Sequence, residues 1–183
     1  MYKDTFPKNV KFNEQPFTLC MLDHTDRDRI LILAHHLPES DLSFMRRDIT
    51  QPEAVDEWIR DIDQQQAISI SVEHDDAIIG YGTLYHDQRF WNRHIGEVRV
   101  LVSSNYRNLG IGTRVVRELM QFAQELSLDK VISYMSADDR GAQRMVSDLG
   151  FTAEALLADW VKTRDDRTHD LVIMSLSLRG QPL

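Results

Sequence analysis

The spacing of apolar residues changes at Gly110, and this change constrains the fold more than any other feature of the sequence. Before Gly110, three valines at every second position (98, 100 and 102) predict a strand over residues 95–102 with the valines on one face. After it, apolar residues recur every three or four positions, which predicts a helix: they are Ile111, Val115, Leu119, Phe122 and Leu126. A strand, a glycine turn and a helix are therefore expected in succession.

The same patterns continue along the chain. Further strands are predicted over residues 17–22, 67–72, 77–84, 131–135, 151–161 and 169–178, and further helices over residues 26–36, 41–47, 53–62 and 142–149. Because strands and helices alternate, we expect an α/β (α+β) fold with a central, mixed, mostly antiparallel sheet of about seven strands and helices on both faces. We expect residues 1–183 to form a single domain and residues 1–16 to be an irregular N-terminal segment.

Length and charge narrow the class of protein. A chain of 183 residues fits one domain, and its apolar runs are far shorter than the ~20 residues that a membrane-spanning helix needs. The 21 basic and 29 acidic residues give a net charge of −8, which disfavours nucleic acid and anionic membranes as partners. One cysteine, Cys20, in an apolar run and the absence of a secretory signal pattern favour the cytoplasm. A monomer and a homodimer both remain open.

The glycine turn predicts an anion site. A strand that enters a helix through a glycine turn points consecutive backbone N–H groups and the positive end of the helix dipole into one small volume. Gly110 and Gly112 let the backbone approach an anion closely, and Arg107 and Thr113 can add side-chain donors. The segment lacks the G-K-[ST] ending of a nucleotide P-loop and the first glycine of the dinucleotide fingerprint.

Two motifs together resemble the GNAT acyltransferase superfamily. Arg107, Gly110 and Gly112 match the R-x-x-G-x-G form of its acetyl-CoA pyrophosphate loop, and 40 residues after Gly110 the L-G-F of residues 149–151 resembles the end of its fourth helix. The local sequence is most similar to the GNAT domains of bacterial protein-lysine acetyltransferases. The resemblance implies transfer of an acetyl group from acetyl-CoA to a primary amine, by direct attack in a ternary complex.

The resemblance also implies which residues bind the co-substrate. Backbone amides of the loop would hold the pyrophosphate, and the end of the preceding strand would pair with the pantetheine arm. An Asn at the start of the fourth helix often contacts CoA in the family, and Asp139 stands at that position here. The predicted set is Leu101, Val102, Ser103, Arg107, Asn108, Leu109, Gly110, Ile111, Gly112, Thr113 and Asp139.

Catalysis requires a base, because an ammonium group cannot attack a thioester before it loses a proton. Glu97 stands where the protein-lysine branch carries its general-base glutamate. The alternative is a simple salt bridge with Arg99, two positions on and on the same strand face. Many small-amine members protonate the leaving thiolate with a tyrosine, which is replaced here by Val146; Tyr134 is a weaker substitute.

The resemblance implies an amine-bearing small molecule or a protein lysine as the acceptor. Residues 41–63 hold seven acids and three arginines, which either attract a cationic amine or form a solvated helix face. Asp159, Asp165 and Asp166 could add to the same field. The seven histidines are scattered without an H-x-x-x-H pair, so no metal is expected. A non-catalytic acyl-CoA-binding sensor or regulatory module of the same fold is the alternative function.

Overall fold

One mixed sheet organises the chain. The computed structural model describes residues 1–163 and 165–180, and its strands follow the spatial order β1-β2-β3-β4-β5-β6-β8-β7. The strands are β1 (Lys8–Phe12), β2 (Gln15–Met21), β3 (Ala67–His74), β4 (Ala77–Tyr85), β5 (Ile95–Val102), β6 (Lys130–Ser136), β7 (Thr152–Lys162) and β8 (Thr168–Ser177). The helices are α1 (Arg27–His35), α2 (Glu39–Leu42), α3 (Pro52–Asp63), α4 (Ile111–Glu125) and α5 (Arg140–Asp148).

The sheet splits between β5 and β6, its one parallel pair among the described residues. These strands are paired at three positions, the last of which joins Glu97 to Ile132. Beyond it, β5 stays with β4 as far as Val102, while β6 stays with β8 as far as Ser136. We call the resulting gap between β5 and β6 the wedge. It leaves the backbone of one side of β5 without a neighbouring strand.

Helices cover both faces of the sheet, as predicted. On one face α4 packs in the main core cluster, where Val98 is buried and Val100 and Val102 are partly buried. On the other face α1 and α3 pack in a second cluster that includes Leu101 and Tyr81. The alternation along β5 therefore sends its valines towards α4 and its intervening side chains towards the opposite face.

The prediction that residues 1–16 are irregular is wrong. β1 lies within that segment and forms a hairpin with β2, in which Val10 is opposite Phe17. Asn13 and Glu14 form the two-residue turn, each with a positive φ, of 46° and 63°. This conformation matches the twist of a tight hairpin. The strand adds one to the predicted seven.

The prediction of a helix over residues 41–47 is also largely wrong, because α2 ends at Leu42. The chain then turns as far as α3. Asp48 accepts hydrogen bonds from the amide and hydroxyl of Thr50, which competes with helical hydrogen bonding. Pro52 at the start of α3 leaves Gln51 extended. We call residues 43–51 the linker.

The remaining predicted elements are present with small shifts at their ends. Arg164 and residues 181–183 lie outside the described residues.

Candidate functional site

The N-terminus of α4 presents unpaired backbone donors. Gly110 caps this helix with a left-handed backbone (φ 86°) and supplies no side-chain cap. The first intrahelical bond runs from the Arg114 amide to the Gly110 carbonyl, at 3.0 Å. Within the described chain, no acceptor bonds the amides of residues 111–113. Three N–H groups and the positive end of the helix dipole are thus free to bind an anion.

The two glycines of the loop have different reasons to be glycine. A Cβ on Gly110 would meet no atom within 4 Å, so the space beside it is open and its positive φ is the constraint. A Cβ on Gly112 would lie 2.9 Å from Met145 Sδ, because α4 and α5 approach closely here. One glycine therefore shapes the turn and the other permits the packing of the two helices.

A cavity of about 1360 Å³ occupies the wedge and extends to the N-terminus of α4. Nine of the eleven residues predicted to bind the co-substrate line it, and Ser103 and Leu109 do not. The Ser103 amide donates to the Ile79 carbonyl at 2.9 Å, and Leu109 packs against the main core. The nine are Leu101, Val102, Arg107, Asn108, Gly110, Ile111, Gly112, Thr113 and Asp139.

Arg107 is already paired in this structure. Its Nε donates to the Val102 carbonyl at 3.1 Å, and its Nη2 donates to the carboxylate of Asp41 on α2. This hydrogen bond to Asp41 raises the pKa of Arg107. Sequence reasoning missed the partner, since Asp41 is 66 positions away and was grouped with a diffuse acidic segment.

Asp139 has a local structural role in addition to lining the cavity. It is the N-cap of α5, and its Oδ1 accepts from the Ala142 amide at 2.9 Å. Aspartate is among the preferred residues for this position.

The position at which many family members carry a thiolate-protonating tyrosine has no proton donor here. Val146, at the position of the family's tyrosine, is buried and apolar. Tyr134 lines the cavity from β6, with the Arg99 guanidinium carbon 5.0 Å from its ring centroid.

Glu97 forms two salt bridges. One is with Arg99, the alternative to a catalytic role given above, and the other is with Arg46. Its Oε1 accepts from Arg99 Nε at 2.6 Å, and its Oε2 accepts from Arg46 Nη1 at 3.3 Å. The Glu97 side chain is 18% exposed and does not line the cavity, whereas both arginines do. Arg46 comes from the linker and was not anticipated.

The linker forms the far wall of the cavity. Phe44 contacts the His169 ring of β8 at a centroid distance of 6.0 Å, and Arg46 stacks 4.4 Å from the Tyr85 ring centroid. Burial raises the pKa of Tyr85. We call this region, bounded by residues 43–47, Arg99, Tyr134 and His169, the acceptor side. A smaller cavity adjoins it between Phe44, Met45 and the β7 residues Leu157 and Trp160.

The acids that suggested a cationic acceptor are mostly engaged with other side chains. In residues 41–63, Asp56 pairs with Arg27 at 2.5 Å and Asp61 pairs with Arg47 at 2.8 Å. On the β7–β8 hairpin, the acids named above contact Thr168, Arg167 and Lys162. Much of the negative charge is therefore neutralised locally.

The described residues contain no group of three or more His, Cys, Asp or Glu side chains arranged to hold a metal ion. In the same part of the chain, none of the helices has the length and apolar character needed to cross a membrane.

Comparison with known proteins identifies the family. The model of the Acetyltransferase (GNAT) family matches residues 33–151. None of the curated proteins compared with the chain matches it. The solved structures below share 13–22% identity with it, so their likeness concerns the fold.

Three similar structures illustrate the match. A ribosomal-protein-alanine N-acetyltransferase from Brucella melitensis has a TM-score of 0.77 at 22% identity, over 87% of this chain and 99% of that one. An N-acetyltransferase from Staphylococcus aureus Mu50 has a TM-score of 0.78 at 13% identity, over 89% and 99%. The putative acetyltransferase yncA from Salmonella typhimurium, solved with acetyl-CoA, has a TM-score of 0.76 at 17% identity, over 91% and 96%. With the family model matching more than half of its length, the chain belongs to the GNAT family of acetyltransferases.

Proposed function

We propose that the chain is an acetyl-CoA-dependent N-acetyltransferase that moves an acetyl group to a primary amine, with Glu97 as general base. The observation that carries the proposal is the free N-terminus of α4, which opens onto the wedge between β5 and β6. An acetyl-CoA molecule whose pyrophosphate is held by the helix would extend its uncharged pantetheine arm into the wedge. Such an arm would meet the unpaired side of β5.

The residues present fit acetyl-CoA. Its pyrophosphate would accept from the amides of residues 111–113, and the open space beside Gly110 allows close approach. Arg107 would turn from Asp41 to the same anion. The pantetheine arm would lie along Leu101 and Val102 as a further strand. The Ser103 amide is hydrogen-bonded to the Ile79 carbonyl, so this amide is not available to the arm.

Glu97 would take the proton that blocks attack. The acceptor ammonium gives a proton to the Glu97 carboxylate, and the neutral amine attacks the thioester carbonyl carbon. A C–N bond forms, the C–S bond breaks, and CoA leaves as the thiolate. The thiolate then takes the second proton from the acetylated nitrogen. The products are an acetamide and CoA thiol, and the Glu97 proton passes to solvent.

Glu97 must exchange a partner to do this. Its contact with Arg46 is the longer of its two, at 3.3 Å against 2.6 Å to Arg99. Arg46 is also the more exposed arginine, at 45% against 23%. An ammonium group would therefore replace Arg46 at Oε2 more readily than Arg99 at Oε1.

A protein lysine, to which the sequence resemblance points, is one acceptor that this proposal accommodates. The acidic segment gives it less support than the sequence suggested, since most of those acids are paired. A non-catalytic acyl-CoA sensor is the second candidate function. It is favoured by one observation, that Glu97 is held by two arginines away from the cavity wall.

The test is turnover of an amine panel with acetyl-CoA by wild type, Glu97→Gln and a matched control. The control is Glu53→Gln on the exposed surface of α3. We expect Glu97→Gln to lower kcat roughly 10²- to 10⁴-fold, the usual range for a general base, with an unchanged Kd for acetyl-CoA. Unchanged turnover in Glu97→Gln would remove Glu97 from catalysis. Acetyl-CoA binding without turnover by wild type would establish the sensor instead.

A further inference from the structure

Two guanidinium groups share one carboxylate on the acceptor side. Arg46 and Arg99 both pair with Glu97, at 3.3 Å and 2.6 Å. Among the described residues, no other carboxylate lies within ion-pair distance of either arginine. The three side chains therefore carry one net positive charge.

The other cations around this region are balanced. Arg47 pairs with Asp61 at 2.8 Å, and Arg167 pairs with Asp165 at 2.6 Å. The surplus positive charge on the acceptor side thus belongs to Arg46 and Arg99.

Both arginines keep donors available to a ligand. Arg99 uses Nε for Glu97 and Nη1 for the Phe44 carbonyl at 2.9 Å, which leaves Nη2 without an acceptor in the described chain. Arg46 uses only Nη1 within the same residues and rests its flat face on Tyr85. A guanidinium group has five N–H donors and binds carboxylates through two of them in a fork.

Resting on the acetyl transfer proposed above, we propose that the acceptor is an α-amino acid with an apolar side chain, whose carboxylate is bound by Arg46 and Arg99. Its ammonium group takes the place of Arg46 Nη1 at Glu97 Oε2. Arg46 turns to the substrate carboxylate, so each charge keeps an opposite partner. A monocation would raise the net charge of this group from one to two positive charges, whereas a zwitterion adds no net charge and places its carboxylate against the two arginines.

The neighbouring cavity provides room for the side chain. It adjoins Arg99 and Tyr134 and is walled by Phe44, Leu157 and Trp160. Trp160 is 66% exposed, so a substrate that covers it would remove apolar surface from water. These walls favour an aliphatic or aromatic side chain over a charged one.

Matched acceptors test the carboxylate directly. The panel is L-leucine, L-methionine and L-phenylalanine, each with its amide and the amine that lacks the carboxyl group, together with a lysine-containing peptide. We expect kcat/KM for the best amino acid to exceed that for its amide roughly 10- to 100-fold, the usual effect of a hydrogen bond to a charged group. The α-amine of the amide is less basic than that of the amino acid, so more of it is in the neutral form that attacks the thioester. This difference favours the amide and therefore works against the expected result.

A variant pair locates the effect. Arg46→Gln is expected to raise KM for the amino acid and to bring the ratio of amino acid to amide towards one, while Kd for acetyl-CoA stays unchanged. The control is Arg89→Gln, whose guanidinium is 64% exposed and pairs with Asp87. It should leave the ratio as in wild type.

The outcomes separate this inference from the proposed function. Equal turnover of amino acids, amides and simple amines would overturn the inference and leave the acetyltransferase standing. Turnover of the lysine peptide alone would do the same. Acetyl-CoA binding with no acetylation of any panel member would overturn the inference and favour the sensor. Failure to bind acetyl-CoA would overturn both.

Discussion

The Asp41 carboxylate of α2 accepts a hydrogen bond from the Arg107 guanidinium at the start of the loop before α4. The Asp41 side chain is 10% exposed, and Arg107 also bonds the carbonyl at the end of β5. Asp41 therefore holds the loop's arginine at the edge of the proposed pyrophosphate site. An incoming anion competes with Asp41 for the same guanidinium.

Asp41→Asn should tighten binding of acetyl-CoA. The substitution removes the competing charge and a source of repulsion for the pyrophosphate. A partly exposed ion pair contributes about 0.2 to 1 kcal/mol, so Kd is expected to fall roughly 1.5- to 5-fold. Isothermal titration measures the change, with Asp56→Asn, which breaks the distant pair with Arg27, as the control. A higher Kd for Asp41→Asn would contradict this prediction and show that Asp41 helps to form the site.

Gly110→Ala should destabilise the fold and weaken acetyl-CoA binding. A left-handed backbone costs alanine about 1 to 2 kcal/mol. Because no atom lies within 4 Å of the added Cβ, backbone strain is the expected cause of the loss. The midpoint of thermal unfolding should fall by roughly 2 to 8 °C for a chain of this size.

The matched variant is Gly110→Asn, since asparagine tolerates this conformation and Asn108 already adopts it with a φ of 62°. It should recover most of the stability. Equal losses in the two variants would mean that side-chain bulk, not backbone strain, is the cause.

Glu118 should contribute to stability above about pH 4 and lose that contribution in acid. Burial would raise its pKa, but hydrogen bonds from Lys8, Tyr2 and Arg114 together lower it. A folded-state pKa below the ordinary value of about 4.3 means that stability is present above that pH and is lost as the pH falls through the folded value.

The measurement is urea unfolding of wild type and Glu118→Gln between neutral pH and pH 3. Glu118→Gln is expected to cost about 1 to 3 kcal/mol at pH 7, because it weakens charged hydrogen bonds at a buried site, and the difference should narrow in acid. Glu125→Gln, on the exposed side of the same helix, is the control and should cost less. A difference that is independent of pH would contradict this account.

Tyr134→Phe should change kcat less than 10-fold. The proposed mechanism lets the thiolate leave without an enzymatic acid, and phenylalanine keeps the ring that faces Arg99. A loss of 10²-fold or more, the usual scale for a general acid, would assign that role to the Tyr134 hydroxyl. Kd for acetyl-CoA is measured alongside to exclude an effect on binding.

Local patterns in the sequence predicted the parts of the fold that local physics determines. The change of spacing at Gly110 predicted β5, the turn and α4, because each depends on neighbouring residues. The β1–β2 hairpin was missed although Val10 and Phe12 alternate with polar residues, since its turn uses Asn13 and Glu14 without glycine. That alternation was the available signal.

The donor side of the candidate site was predictable, and on the acceptor side so was the pair of Glu97 with Arg99 two positions on. Arg107, Gly110 and Gly112 lie within six positions, so their proximity follows from the chain itself. The contact of Arg46 with Glu97 spans 51 positions and depends on the linker leaving helical geometry after Leu42. Such a pairing is set by tertiary packing and has no signature in the sequence.

The most direct test of the central claim is the thermal midpoint of the protein with and without acetyl-CoA, with ATP and NAD as controls. A ligand at 100 times its Kd adds about 2.7 kcal/mol, which corresponds to a rise of roughly 5 to 10 °C for a chain of this size. We predict that rise with acetyl-CoA and not with the two nucleotides. No rise at millimolar acetyl-CoA would mean that the loop before α4 is only a turn, and it would contradict the proposed function.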